Sequence, residues 1–471
     1  MDKVLMNKIE KWVIDHKQEM LETLSQFVQV NSVLDMSTAG EDKPYGQGCR
    51  VMLDVVRKKA EEYGLHCVDV DGYALEIRNQ LESDHEIGIF NHGDVVAVGG
   101  EWAFPPFCGR IDGDFVLGRG AHDNKCACVM SLFLLRMFNE LGITMKNSLR
   151  LVIGTKEETG MQDMIYYTAH RKMPLTSLVP DCVYPVNFGQ KGGLLGTVSA
   201  EIGDEVIELD AGVAGAASVP DKAEALVRFP LNTVLPLAED LEDVQCEAEG
   251  ENTRIRAIGV ATHTANPWKG KSAILALTRL LTKLPFTDEH TAKLVQGLYI
   301  FTSDYYGEPL GMNGEDDTGK NTVVMSRVEK KGSKLSMRVV NKACLSTPVD
   351  EFIDRFEKWC FEYGITIDPT AERRQHVSFD REDPRVKTLQ RVYKEMTGKD
   401  DPPYCMGGCT YSKVLPETIT FGIIRSFRRP NYIPEGTGDC HGLNEFIDIE
   451  VPMDGIKIYT AALLELDNIV S

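Results

Sequence analysis

Ile87-Gly88-Ile89-Phe90-Asn91-His92-Gly93-Asp94-Val95-Val96 is the stretch on which the fold and chemistry of this chain turn. Its first four residues form a short apolar run, the pattern of a buried strand. That strand leads directly into a histidine and an aspartate. In an α/β sheet, the residues just past a strand's C-terminal end line the ligand crevice. His92 and Asp94 stand two apart, so in extended chain both side chains point to one side. An Asp so placed can orient the His or back a metal ligand from behind. Read alone, His-x-Asp serves equally well as ordinary structural or surface polarity.

Outward from this stretch, strands and helices alternate. Val4, Ile9, Val13, Met20, Leu24 and Phe27 recur at helical spacing over roughly the first 30 residues. Helices are expected at 46–64, 126–141 and 161–169, and a buried strand at 148–154. This alternation argues for an α/β layer architecture. From Lys191 to Phe379 the chain is richer in acidic residues, turns and short β-like runs, with helices expected at 272–284 and 349–363. The α/β style returns from Asp383, with a helix at 386–396, a strand at 418–424 and a last helix at 452–467. The pattern predicts one inserted α+β domain, residues 191–379, between the halves 1–190 and 380–471 of an α/β domain.

The 471 residues correspond to about three domain-sized units. With 43% hydrophobic and 26% charged residues, the composition is that of a globular protein and excludes disordered, collagenous and coiled-coil classes. Fifty-one basic against 71 acidic residues leave a formal charge of −20. A field of that sign repels polyphosphate, which argues against nucleic acid and anionic membrane as partners. The N-terminus has no apolar leader, and no apolar run approaches the ~18 residues needed to span a bilayer. Twelve scattered cysteines then fit a cytoplasmic protein with reduced thiols, most of them packing residues, including Cys126, Cys128 and Cys440.

Further clusters carry chemistry. Gly118-Arg119-Gly120-Ala121-His122-Asp123-Asn124-Lys125 precedes a helix, where Asp123 alone reads as an N-cap. Gly154-Thr155-Lys156-Glu157-Glu158-Thr159-Gly160 follows a buried strand. Two adjacent carboxylates there can divide labour, one binding a metal and one taking protons, or they can be an exposed charged loop. Pro180-Asp181 and Asp439-Cys440-His441-Gly442 complete the set. Together these residues offer His, Asp and Glu donors suited to two Zn²⁺ or similar ions sharing a carboxylate.

The order NHGDVV, GRGAHDNK, GTKEETG, PDCVYP and HGLNEF resembles metallopeptidase family 20, which includes aminoacylases, carboxypeptidase G and carnosinase. The likeness runs over nearly the whole chain and implies a zinc-peptidase-like α/β catalytic domain with an inserted lid. It implies that His92 and Asp181 hold one zinc, that Glu158 and His441 hold the other, and that Asp123 bridges both. Mn²⁺ or Co²⁺ would suit the same set. Asp94 would orient His92, and Glu157 would be the general base and later the general acid. In the lid, Gly259–Ala265 resembles the family segment whose histidine, here His263, donates to the oxyanion. Arg338, Gly407 and Gly408 match groups that grip a substrate carboxylate.

Asp at position 181 goes, in that family, with peptidases acting on free-amine substrates. A lid of about 190 residues exceeds the roughly 110 of dimerising members and resembles the bacterial dipeptidase V type, a monomer. The expected function is therefore a metal-dependent dipeptidase acting on small peptides. The alternative is an N-acyl- or N-carbamoyl-amino-acid amidohydrolase. Ala217, Gln190, Ser272 and Cys409 depart from the family pattern, all of them in lid or substrate-contacting segments.

Overall fold

In a computed structural model describing residues 3–79, 84–213 and 218–470, the chain divides into two compact units. The first runs to Phe188, resumes for Phe379–Tyr404, and continues from Cys409; the second is Gly189–Ser378 with Cys405–Gly408. That short return differs from an uninterrupted 380–471 half. Its cause is a backbone bond, since Lys191 N–H donates to the Met406 carbonyl at 2.9 Å.

The first unit is built on a mixed sheet in the order His66–Val70, Ala74–Arg78, Ser148–Gly154, Glu86–His92, Thr176–Val179, Thr418–Phe421, then the start of Val186–Gln190. The four central strands are parallel, and their neighbours on either side run antiparallel. Every residue of Glu86–His92 is buried, as parallel strands covered on both faces require. Helix Lys125–Leu141 is buried almost all round, and its Leu132, Phe133 and Met137 share a core with Leu151, Ile153, Tyr459 and Leu463. Apolar spacing predicts one N-terminal helix, but the chain forms two, Lys3–Asp15 and Lys17–Val28. The break falls at His16 (φ −102°, ψ 5°), whose ring stacks on Trp12 and whose Nδ1 donates to the Trp12 carbonyl.

The second unit is an antiparallel sheet in the order Val244–Glu249, Asn252–Ile258, Lys222–Val227, Val206–Ala211, Thr322–Lys331, Lys334–Lys342, Gly193–Glu201, Thr366–Ile367. Alternate residues Leu335, Met337 and Val339 enter its core with Leu277, Leu281, Phe301, Phe352 and Phe356. The latter five come from helices Ala273–Leu281, Glu289–Thr302 and Val349–Glu362. Among the described residues no helix is long and apolar enough to cross a membrane. All twelve cysteines are free thiols. Cys126 and Cys128 are buried and donate to the carbonyls of His122 and His92.

Candidate metal centre

Register brings the candidate residues to one edge of the first sheet. His92 pairs with Gly154, and Ile89 pairs with Leu178, so His92 and Asp181 each lie three residues past a matched pair. The strand ends therefore deliver His92, the Thr155–Glu158 turn and Asp181 at one level, the crevice side of a parallel sheet. Gly154 must be glycine there, because a Cβ would lie 2.2 Å from the Tyr411 hydroxyl and 2.3 Å from Asp163 Oδ2.

Asp123 lies at the centre. Its Oδ1 is 3.1 Å from His92 Nε2 and its Oδ2 is 3.0 Å from His441 Nε2. Asp181 Oδ2 is 3.6 Å from His92 Nε2, and Glu158 Oε2 is 3.0 Å from His441 Nε2. Two donor groups result, His92–Asp123–Asp181 and Asp123–Glu158–His441, each with its ligand atoms within 4.8 Å of one another. Asp94 does more than face His92 Nδ1 at 3.4 Å: its Oδ1 and Oδ2 accept the backbone N–H of Glu157 and Glu158, both at 3.1 Å.

Three residues not singled out by the sequence reading hold this edge. Asn124 Nδ2 donates to Asp181 Oδ1 (2.9 Å) and to the Pro180 carbonyl (3.0 Å). Asp163 Oδ2 accepts from Thr155 N–H (2.8 Å), Lys156 N–H (2.9 Å) and the Tyr411 hydroxyl. Only the adjacency of Asn124 to Asp123, and of Tyr411 to the Gly407–Gly408 loop, hints at them in the sequence.

The electrostatics suit a cation. Burial pushes the Glu157 carboxyl well above the usual range, helped by Asp181, Glu158 and Cys409. Burial and Asp123 push Glu158 up to about 7, and the same two causes raise Asp181. Burial opposes charge on His441 also, yet Glu158 and Asp123 raise it to about 12. His92 is raised in the same way by Asp123, Asp181 and Asp94. Asp123 goes below its usual range despite its burial, because both imidazoles bond to it. Glu157 Oε1 and Glu158 Oε1 are buried without a hydrogen-bond partner, a condition folded proteins rarely tolerate. Excess carboxylate, two imidazoles and orphaned oxygens together fit divalent metal ions.

His263, Arg338, Gly407 and Gly408 belong to the second unit. His263 is exposed on the short strand Thr262–His263, and its Nδ1 accepts Ala265 N–H at 3.1 Å. In the neutral ring that leaves the proton on Nε2, a donor. Arg338 is exposed on Lys334–Lys342. A Cβ at Gly407 would meet only Ala265, at 3.6 Å, so no steric contact imposes glycine there. Ser272, a departure from the family's Asn, caps helix Ala273–Leu281, its Oγ accepting Leu275 N–H. Ser and Asn are near-equal caps, so this difference is local to the helix end. Gln190 is buried and Cys409 half-buried; Ala217 lies outside the described residues.

A parallel-centred α/β sheet that gathers two donor groups around a shared carboxylate is the architecture of a metal-dependent hydrolase. Within that class the chain belongs to peptidase family M20/M25/M40, which matches residues 88–465, and is a hydrolase acting on peptide bonds. It is 28% identical over 472 residues to "Putative dipeptidase YtjP" of Bacillus subtilis, covering 96% of this chain and 98% of that one. Its fold is similar to that of the di-peptidase Dug1p from Saccharomyces cerevisiae, with TM-score 0.61, 12% identity and 98% coverage of both chains. Human carnosine dipeptidase 1 is similar in fold too, with TM-score 0.60, 13% identity and coverage of 98% of this chain and 99% of that one.

Proposed function

We propose that this chain is a metal-dependent dipeptidase, hydrolysing the amide bond of short peptides with free amino and carboxyl ends. The observation that carries the reading is Asp123, whose two oxygens face His92 and His441 separately. In this reading His92 and Asp181 hold one Zn²⁺, Glu158 and His441 hold another, and Asp123 is shared; Mn²⁺ or Co²⁺ suits the same donors. Two such ions supply a Lewis acid for the scissile carbonyl and an environment in which water loses a proton near neutral pH. Glu157 takes that proton at its buried carboxylate and passes it to the leaving amine nitrogen. Asp94 keeps Glu157 in place by accepting its backbone N–H, and its own backbone carbonyl, accepting from His92 Nδ1 at 3.1 Å, keeps His92 oriented.

From the second unit, His263 Nε2–H donates to the oxyanion, and Arg338 with the backbone of Gly407 and Gly408 binds the substrate carboxylate. The side of the site at Asp181 receives the free amine. We place the enzyme in the cytoplasm as a monomer. The relatives named as dipeptidases support the substrate class.

The test is to strip the protein of metal and assay it with and without Zn²⁺ or Mn²⁺ on a free dipeptide and its N-acetylated form. Metal-dependent cleavage of the free dipeptide alone is expected. Cleavage of the acetylated form alone would instead make the chain an N-acyl-amino-acid amidohydrolase.

A further inference from the structure

Two loops carry the residues that the second donor group shares, 118–124 with Asp123 and 439–446 with His441, and one buried ion pair ties them together. Glu445 is 0% exposed and Arg119 is 3% exposed. Glu445 Oε1 accepts three backbone N–H groups, from Gly120 (2.9 Å), His122 (2.9 Å) and Asp123 itself (3.2 Å). Its Oε2 pairs with Arg119 Nη1 at 2.5 Å, and Arg119 Nη2 donates to the His441 carbonyl at 3.3 Å. The Gly118 N–H closes the connection on the Glu445 carbonyl at 2.8 Å. His441 and Asn444 both adopt positive φ, 61° and 58°. Asn enters that region readily, but for His441 it is an uncommon conformation that the surrounding bonds hold.

A buried ion pair is costly to desolvate, and apolar residues of like volume often stabilise a fold better. What this pair provides instead is direction. One oxygen fixes the backbone that presents Asp123, and one guanidinium nitrogen fixes the backbone that presents His441. Neither side chain belongs to either donor group.

We propose that Arg119 and Glu445 are positioning residues that set Asp123 and His441 relative to each other, so that metal affinity at the Asp123–Glu158–His441 group depends on a pair that does not touch the metal. The proposal rests on the metal-dependent reading above. Two of that group's three residues are held by the pair, against one of three in His92–Asp123–Asp181, so the loss on breaking it is unequal.

The test uses the full chain, with Co²⁺ and Zn²⁺ as probes in equilibrium dialysis and the Co²⁺ absorption spectrum as a second readout. The variants His441→Ala and His92→Ala assign the two binding steps to the two groups. Glu445→Gln, which keeps an acceptor but loses the charge, is expected to weaken the step assigned to His441 by about 10- to 100-fold. The other step should move by less than about a third of that, and kcat should fall with KM nearly unchanged. Arg119→Lys, which keeps the ion pair but not the second donor, should show a smaller loss at the same step. Unchanged or equally weakened steps in a protein that still binds two ions would overturn the proposal alone. A wild-type protein that binds no divalent ion would overturn the metal-dependent reading itself. Failure of both variants to fold would assign the pair to stability and overturn the positioning role.

Discussion

The anchoring carboxylates of the first unit and the candidate side chains of the second sit in different surroundings. In the first, Asp94, Asp163 and Glu157 are buried, and the backbone N–H groups of the Thr155–Glu158 turn are each claimed by a named carboxylate. In the second, His263 and Arg338 stand exposed on strands, and a Cβ at Gly407 would meet only Ala265, in ordinary contact. Preorganised donors are worth most where charge develops in a dry site, because they need not reorganise as it forms. In the function proposed above, the exposed side chains take a different task, that of meeting the ends of a short substrate.

The contrast breaks most visibly at Glu157. Glu157→Gln keeps the shape but removes the base, and we expect kcat to fall by ~10²–10⁴-fold with metal content unchanged. Loss of metal in that variant, measured by elemental analysis, would make Glu157 a ligand instead. Asp94→Asn comes next, since one of its two N–H acceptors becomes a donor. Activity or metal affinity should drop about 10- to 100-fold, and an unaltered enzyme would mean that the Glu157–Glu158 turn needs no anchor.

Asp163 sharpens the comparison through pH. Burial, with Asp94 nearby, lifts its folded pKa to about 6 from 3.8. The folded state therefore binds the proton more tightly than the unfolded chain. Its contribution is full below about pH 4 and is lost as pH rises through about 6, by up to ~3 kcal/mol. Asp163→Asn should show a smaller fall in Tm between pH 4 and 7 than the wild type; parallel curves would count against the buried acid. The smallest effect belongs to the second unit. Ser272→Asn should change stability by only a few tenths of a kcal/mol, whereas Ser272→Ala should cost ~1 kcal/mol, with kcat/KM unmoved in both. A change in substrate preference for either would return Ser272 to the recognition surface.

Much of the first unit was legible because its central strands are buried, largely apolar runs that lead into polar residues, as Ile87–Phe90 leads into Asn91-His92 and Leu149–Gly154 into Thr155–Glu158. The residues that gather at the edge, from His92 to His441, were named through the likeness of their motifs to metallopeptidase family 20. Their anchors were not. Glu445 bonds to backbone some 325 positions away, and Asp163 to backbone seven and eight positions away, and a backbone N–H leaves no mark in a sequence. The N-terminal helix break was hidden for another reason, since apolar spacing runs on through His16 while a local side-chain bond turns the chain. Ser272 was legible as a departure but not as a cap, because the helix start had to be known first.

The matched register of three of the central strands, Ser148–Gly154, Glu86–His92 and Thr176–Val179, has a consequence for how such a protein drifts over time. Spacing between His92 and Asp181 is ruled off in whole residues by main-chain ladders, which do not stretch when a side chain behind them is trimmed. Thinning the core at Leu151 or Phe133 to Ala should therefore lower stability by about 2–5 kcal/mol while leaving the spacing of the edge intact. Wear in the body of the protein and change in its chemistry are, by that ladder, separately adjustable.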